Sequence, residues 1–164
     1  MKQISLQIPV QIYPDLDSLE QRDAELLKAA RKATEGAYAP YSGFRVGAAA
    51  RLVNGEIVTG SNQENASFPA GICAERVTLS AASARFPETA ISSLALTYIN
   101  DHSKVSNRPI SPCGLCRQTL VEYEQRFGQP IRLVMGGFTR EIFVMDRATD
   151  LLPFAFSSQE LKPE

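Results

Sequence analysis

The sequence predicts a mixed α/β domain with helices packed on a central sheet. Segments of period-two or β-branched character alternate with segments of helical periodicity, and one Asn-Gly hairpin signal lies among them. A chain of 164 residues, 44% of them apolar, falls in the range where one compact domain buries a proper core. No repeat, linker or low-complexity stretch divides it.

Ile4, Leu6, Ile8, Val10 and Ile12 recur at every second position. That is the pattern of a strand with one buried face, and Pro9, which lacks a backbone donor, favours a sheet edge. Ser18 and Gln21 have the spacing of a capping box. Leu26, Ala30, Ala33 and Ala37 then follow at helical spacing until Gly36 and Pro40 end the run. Residues 44–53 and 56–60 are rich in small and β-branched side chains, and Asn54-Gly55 between them predicts a tight antiparallel hairpin. A second helix is predicted over residues 73–85, where Val77, Ala81 and Ala84 share a face and Pro87 stands just beyond the end. Residues 94–99 read as a strand, and a polar loop over 100–108 follows. Cys116, Leu120, Tyr123 and Phe127 mark a third helix, closed by Gly128 and Pro130, and residues 131–135 and 141–145 supply the last strands.

Seventeen Lys and Arg nearly cancel eighteen Asp and Glu. The excess of positive charge that grips a nucleic-acid backbone is missing, so a polynucleotide partner is disfavoured. The first ten residues alternate rather than run apolar, unlike a secretory signal or a membrane span, so a cytoplasmic location without a membrane partner is expected. Three cysteines cannot all pair within one chain, and in a reducing compartment they remain thiols open to a metal.

Cys113-Gly114-Leu115-Cys116 opens the third helix and can present two sulfurs to one zinc ion, although a CxxC serves equally as a redox dithiol or as two core cysteines. Cys73 opens the other helix, so two positive dipole ends would meet at three thiolates. Structural zinc normally takes four protein ligands. The remaining soft candidate, His102, sits in a loop without ligand spacing, and three ligands with an open fourth position suggest catalysis.

Cys73-Ala74-Glu75 joined to Pro112-Cys113-Gly114-Leu115-Cys116 resembles the zinc nucleoside and nucleobase deaminase superfamily. The match continues through Tyr41-Ser42-Gly43-Phe44-Arg45-Val46-Gly47, Asn62-Gln63-Glu64-Asn65-Ala66-Ser67, Arg117-Gln118 and Leu151-Leu152-Pro153. In order and spacing these resemble the small homotetrameric cytidine deaminases over about residues 29–161. The resemblance implies a three-layer α/β/α fold with a central mixed five-stranded sheet, here as a domain over residues 15–164 preceded by a strand-like extension over 1–14. It also implies one zinc per chain and hydrolytic deamination of free cytidine and 2′-deoxycytidine in pyrimidine salvage. A cysteine rather than a histidine as first ligand resembles the free-nucleoside branch. Three features depart from the family pattern: the N-terminal extension, a longer segment over 101–109, and Phe68 where tyrosine is common.

The residue roles follow from the same resemblance. Zinc would lower the pKa of bound water far below that of bulk water, towards ~7, and Glu75 would take the water proton, pass it to N3 and help protonate the departing amine. Arg76, with Gln118 beside it, would offset the negative charge of three thiolates on one zinc ion. Asn62 and Glu64, alternating on a loop, would grip ribose hydroxyls. The backbone of Ala74 would contact the base, and Phe44 and Phe156 would sandwich it. The tail with Phe156 would reach a neighbour's pocket in a homotetramer with shared active sites. Two other readings stand beside this one: a deaminase of another aminated nucleoside, such as a blasticidin-type antibiotic, and a non-catalytic module in which zinc merely staples two helices.

Overall fold

The computed structural model describes residues 1–103 and 108–161; residues 104–107, inside the long loop noted above, lie outside it. Its elements run in the order β1 (Gln11–Tyr13), α1 (Gln21–Ala33), β2 (Phe44–Leu52), β3 (Ile57–Ser61), α2 (Ala74–Arg85), β4 (Ile91–Asn100), α3 (Gly114–Phe127), β5 (Arg132–Gly136) and β6 (Ile142–Met145). Short 3₁₀ turns follow α1 and β6. The six strands form one mixed sheet in the order β1-β6-β5-β4-β2-β3. Only β4 and β5 run parallel, because α3 carries the chain back between them; the other neighbours are antiparallel. The expected five-stranded mixed sheet is therefore present, with the N-terminal strand added as a sixth at the edge.

Alternation along the strands sorts the apolar residues into two cores. Ala48, Ala50, Leu52, Leu94, Leu96 and Leu133 pack with Leu79 of α2 and Leu120 of α3. Ala49, Ala95, Val134 and Val144 face the other way, onto Leu26, Leu27 and Ala30 of α1. Three layers result, α1 on one face and α2 with α3 on the other. The layers approach closely where the strands carry glycine: a Cβ on Gly47 would lie 2.1 Å from the carbonyl oxygen of Ala30, and one on Gly60 would lie 2.6 Å from Oγ1 of Thr78. Gly60 thus seats the first turns of α2 directly on β3.

Two expectations are corrected. The N-terminal row pairs only over Gln11–Tyr13, and its apolar side chains do not form a buried face: Ile4 is 64% and Ile12 58% exposed. The register explains this. Gln11 lies opposite Val144 and β6 ends at Met145, so residues before Val10 outrun the strand they would join. The capping box also fails to form. Glu20 stands at the N-cap without a side-chain cap, while the Ser18 hydroxyl donates to the carbonyl of Asp15 at 2.7 Å and the Ser18 amide to its carboxylate at 2.9 Å. A local turn won the competition for the hydroxyl. Helix α1 accordingly begins at Gln21 and ends at Ala33, leaving Ala37 outside.

Candidate active site

The helices α2 and α3 begin at the same end of the sheet, where β4 ends and β2 starts. Cys73 and Cys113 are their N-cap residues, both with extended backbone, and Cys116 lies one turn into α3, fully buried. The Sγ atoms of Cys73 and Cys113 are 3.7 Å apart, those of Cys113 and Cys116 are 3.5 Å apart, and all three fall within 4.8 Å of one another. Zn–S bonds of ~2.3 Å at tetrahedral angles require sulfurs roughly 3.8 Å apart. The trio therefore fits a zinc ion, and among the described residues no fourth Cys, His, Asp or Glu joins it. His102 stands instead beside Gly43.

The electrostatics favour thiolate at Cys73. Cys73 is drawn down to about 6, foremost by the hydrogen bond from Cys116, with Cys113 and the positive charge of Arg76 adding to it and burial opposing. Cys116 is pushed up, by that same shared proton and by burial. The two titrate as a pair, and losing protons to a metal resolves the conflict. Glu75, in the first turn of α2 and 5% exposed, has its carboxyl raised above the ordinary range, first by burial and then by the neighbouring Cys73 charge.

A pocket of about 760 Å³ opens over the trio, lined on one side by Cys73, Ala74, Glu75 and Cys113 and on the other by Phe44, Asn62 and Glu64. That volume suits a nucleoside-sized ligand. No Lys or Arg is among the residues that line it.

The site can be followed back to its elements. Asn62 leaves β3 and acts as a substitute strand partner, its Oδ1 accepting from the amide of Val46 at 2.7 Å and its Nδ2 donating to the carbonyl of Phe44 at 2.9 Å. The Glu64 amide donates to the carbonyl of Tyr38 at 2.8 Å, which holds the loop open over the pocket. Phe44 is backed by Tyr98, with ring centroids 4.7 Å apart in a stacked arrangement.

A family model for the cytidine and deoxycytidylate deaminase zinc-binding region matches residues 20–127. The chain belongs to this deaminase family. A cytidine deaminase of Halalkalibacterium halodurans is 37% identical over 136 residues, 83% of this chain and 95% of the relative. One from Mycobacterium tuberculosis is 37% identical over 138 residues, 82% of this chain and 90% of the relative. Among solved structures, a cytidine deaminase from Burkholderia pseudomallei superposes with a TM-score of 0.70 at 36% identity, covering 84% of this chain and all of the other. The cysteine trio of this deaminase is thus a zinc site, with one ion per chain.

Of the remaining residues singled out in the sequence, Asn62, Glu64, Ala74, Glu75 and Phe44 line the pocket together. Arg76 lies beside Cys73, close enough to lower its pKa. Gln118 and Phe156 are placed elsewhere. The Gln118 amide donates to the carbonyl of Phe156 at 2.8 Å, and the Phe156 ring is 60% exposed and does not line the pocket of its own chain. Phe68, also at the rim, meets Tyr41 edge-to-face with ring centroids 6.1 Å apart.

Two residues went unremarked in the sequence. Arg117 donates to the carbonyl of Pro112 at 2.8 Å and to that of Leu151 at 3.2 Å, and so ties the residue before Cys113 to the C-terminal segment. Ser42 bonds Glu64. Both lay inside quoted motifs, but their roles depend on turns that spacing alone does not describe.

Proposed function

We propose that the chain hydrolyses free cytidine and 2′-deoxycytidine to uridine and 2′-deoxyuridine, releasing ammonia. The observation that carries this is the buried Glu75, placed beside three metal-spaced sulfurs on the floor of a nucleoside-sized pocket whose other wall holds Asn62 and Glu64. Zinc, when bound, acts as the Lewis acid that makes water nucleophilic near neutral pH. Glu75 takes one proton from the attacking water and gives it to N3 of the base, then takes the second from the new C4 hydroxyl and gives it to the departing amine; burial suits it to hold a proton between these steps. Arg76 offsets the charge of the thiolates, and the backbone of Ala74 faces the base. Phe44 stacks on the base, and Asn62 and Glu64 take the ribose hydroxyls. A pocket lined by carboxylates, with no Lys or Arg, favours a nucleoside over a nucleotide carrying phosphate.

The same reading makes residues 15–164 one catalytic domain, with 1–14 an extension attached through Gln11–Tyr13. It places the enzyme in pyrimidine salvage in the cytoplasm; no described helix is long and apolar enough to cross a membrane. A homotetramer is supported by apolar side chains left open to solvent, Phe68 at the pocket and Leu115 and Phe156 outside its lining. Loss of cytidine absorbance with stoichiometric ammonia release is the direct test. Zinc-loaded protein that turns over neither nucleoside would defeat the proposal.

A further inference from the structure

The turn that precedes β2 bonds the Glu64 carboxylate with three donors. Oε2 accepts from the amides of Tyr41 at 2.9 Å and Ser42 at 3.3 Å, and Oε1 accepts from the Ser42 hydroxyl at 2.5 Å. That hydroxyl in turn accepts from the amide of Phe44 at 3.0 Å. With its oxygen engaged by an N–H, Ser42 aims its own proton at Glu64. The turn depends on Gly43, whose φ of +60° suits glycine, and its amide donates to the carbonyl of Ala39 at 3.0 Å. A carboxylate offers about four acceptor positions. Oε2 has both of its positions filled, so the open one belongs to Oε1.

We propose that Ser42 is a positioning residue: by bonding Oε1 of Glu64 it leaves one outward acceptor position on that oxygen, and that position selects a substrate with a free 3′-hydroxyl. The inference rests on the reading of Glu64 as a ribose contact. The same bonds hold the Glu64 carboxyl below the ordinary range, so it meets the hydroxyl as an acceptor.

The test compares kcat/KM for 2′-deoxycytidine with that for 2′,3′-dideoxycytidine, substrates that differ only at the 3′-hydroxyl, in zinc-loaded wild type, Ser42→Ala, Ser42→Thr and Glu64→Gln. A hydrogen bond to a charged group is worth about tenfold to a hundredfold. Ser42→Ala should therefore cut the preference for 2′-deoxycytidine about tenfold or more, through KM, with kcat held within about threefold, and Ser42→Thr should restore it. A merely structural role would lower both substrates equally and leave the ratio in place. If Glu64→Gln abolishes the preference while Ser42→Ala keeps it, the Ser42 proposal is overturned and the ribose reading stands. If Glu64→Gln also keeps it, the ribose reading falls and the proposal with it. Should Ser42→Ala fail to fold, Ser42→Cys, with its weak thiol donor, reads the same ratio.

Discussion

Glu75 is held between two opposing influences. Burial against the α2 start favours its neutral acid, while its own first-turn amide favours the carboxylate. Burial is the larger influence and leaves the carboxyl raised above its ordinary range, the direction a proton shuttle requires. Glu75→Gln keeps the shape and would remove the proposed proton transfer. It should lower kcat by about 10² to 10⁴, with zinc content by metal analysis unchanged, and turnover within a few-fold of wild type would assign the proton transfer to another group. At this scale the metal site was legible in the sequence, since three cysteines are defined by type and spacing, and the glutamate two residues after the first lies with Cys73 and Cys113 in the pocket lining. The residues that hold others were not. Arg117 acts through the main-chain carbonyls of Pro112 and Leu151, and Ser42 through a turn set by a left-handed glycine; neither relation leaves a pattern in residue types.

Helix α2 brings Cys73 and Glu75 to the site only because β3 lets it approach. A Cβ on Gly60 would lie 2.8 Å from the Thr78 amide as well as 2.6 Å from its hydroxyl, so Gly60→Ala must push backbone away from backbone. Overpacking of this kind costs about 1–3 kcal/mol, a fall of about 3–10 °C in Tm for a chain of this length. Zinc retention in a chelator competition should fall with it. An unchanged Tm would show that the helix can ride higher on the sheet without penalty. The extension behaves in the opposite way. Residues 1–10 have no strand partner, and deleting residues 2–9 should leave Tm within about 2 °C by calorimetry. Helices α2 and α3 and the β2–β3 hairpin were legible because periodicity, caps and an Asn-Gly turn agree with the tertiary contacts. The N-terminal strand was legible only in part, because the length of a strand depends on a partner, β6, that lies far along the chain.

The whole molecule leaves Phe156 outside its own pocket, although the family resemblance places this tail at a base. In a closed symmetric assembly every pocket has an identical neighbour to supply it. Glu75→Ala and Phe156→Ala should each impair the pure assembly, and co-expressed, differently tagged chains should regain activity above both parents. Proven hybrids without any gain would place Phe156 in cis or outside the site. The cysteine arrangement has a second result at this scale. Cys113 and Cys116 share one helical turn and form a local pair, whereas Cys73 and Cys113 stand 40 residues apart and belong to different helices. A metal held by all three closes the intervening loop, and the entropy it removes from the unfolded chain corresponds to roughly 4 kcal/mol if the link is treated like a disulfide. Chelation should therefore lower Tm by about 8 °C or more in differential scanning fluorimetry, and Cys73→Ser should reproduce most of that fall even though the local pair is intact. The ion proposed to activate water would then also be a long-range cross-link, so a metal-starved cell would lose the protein along with its activity.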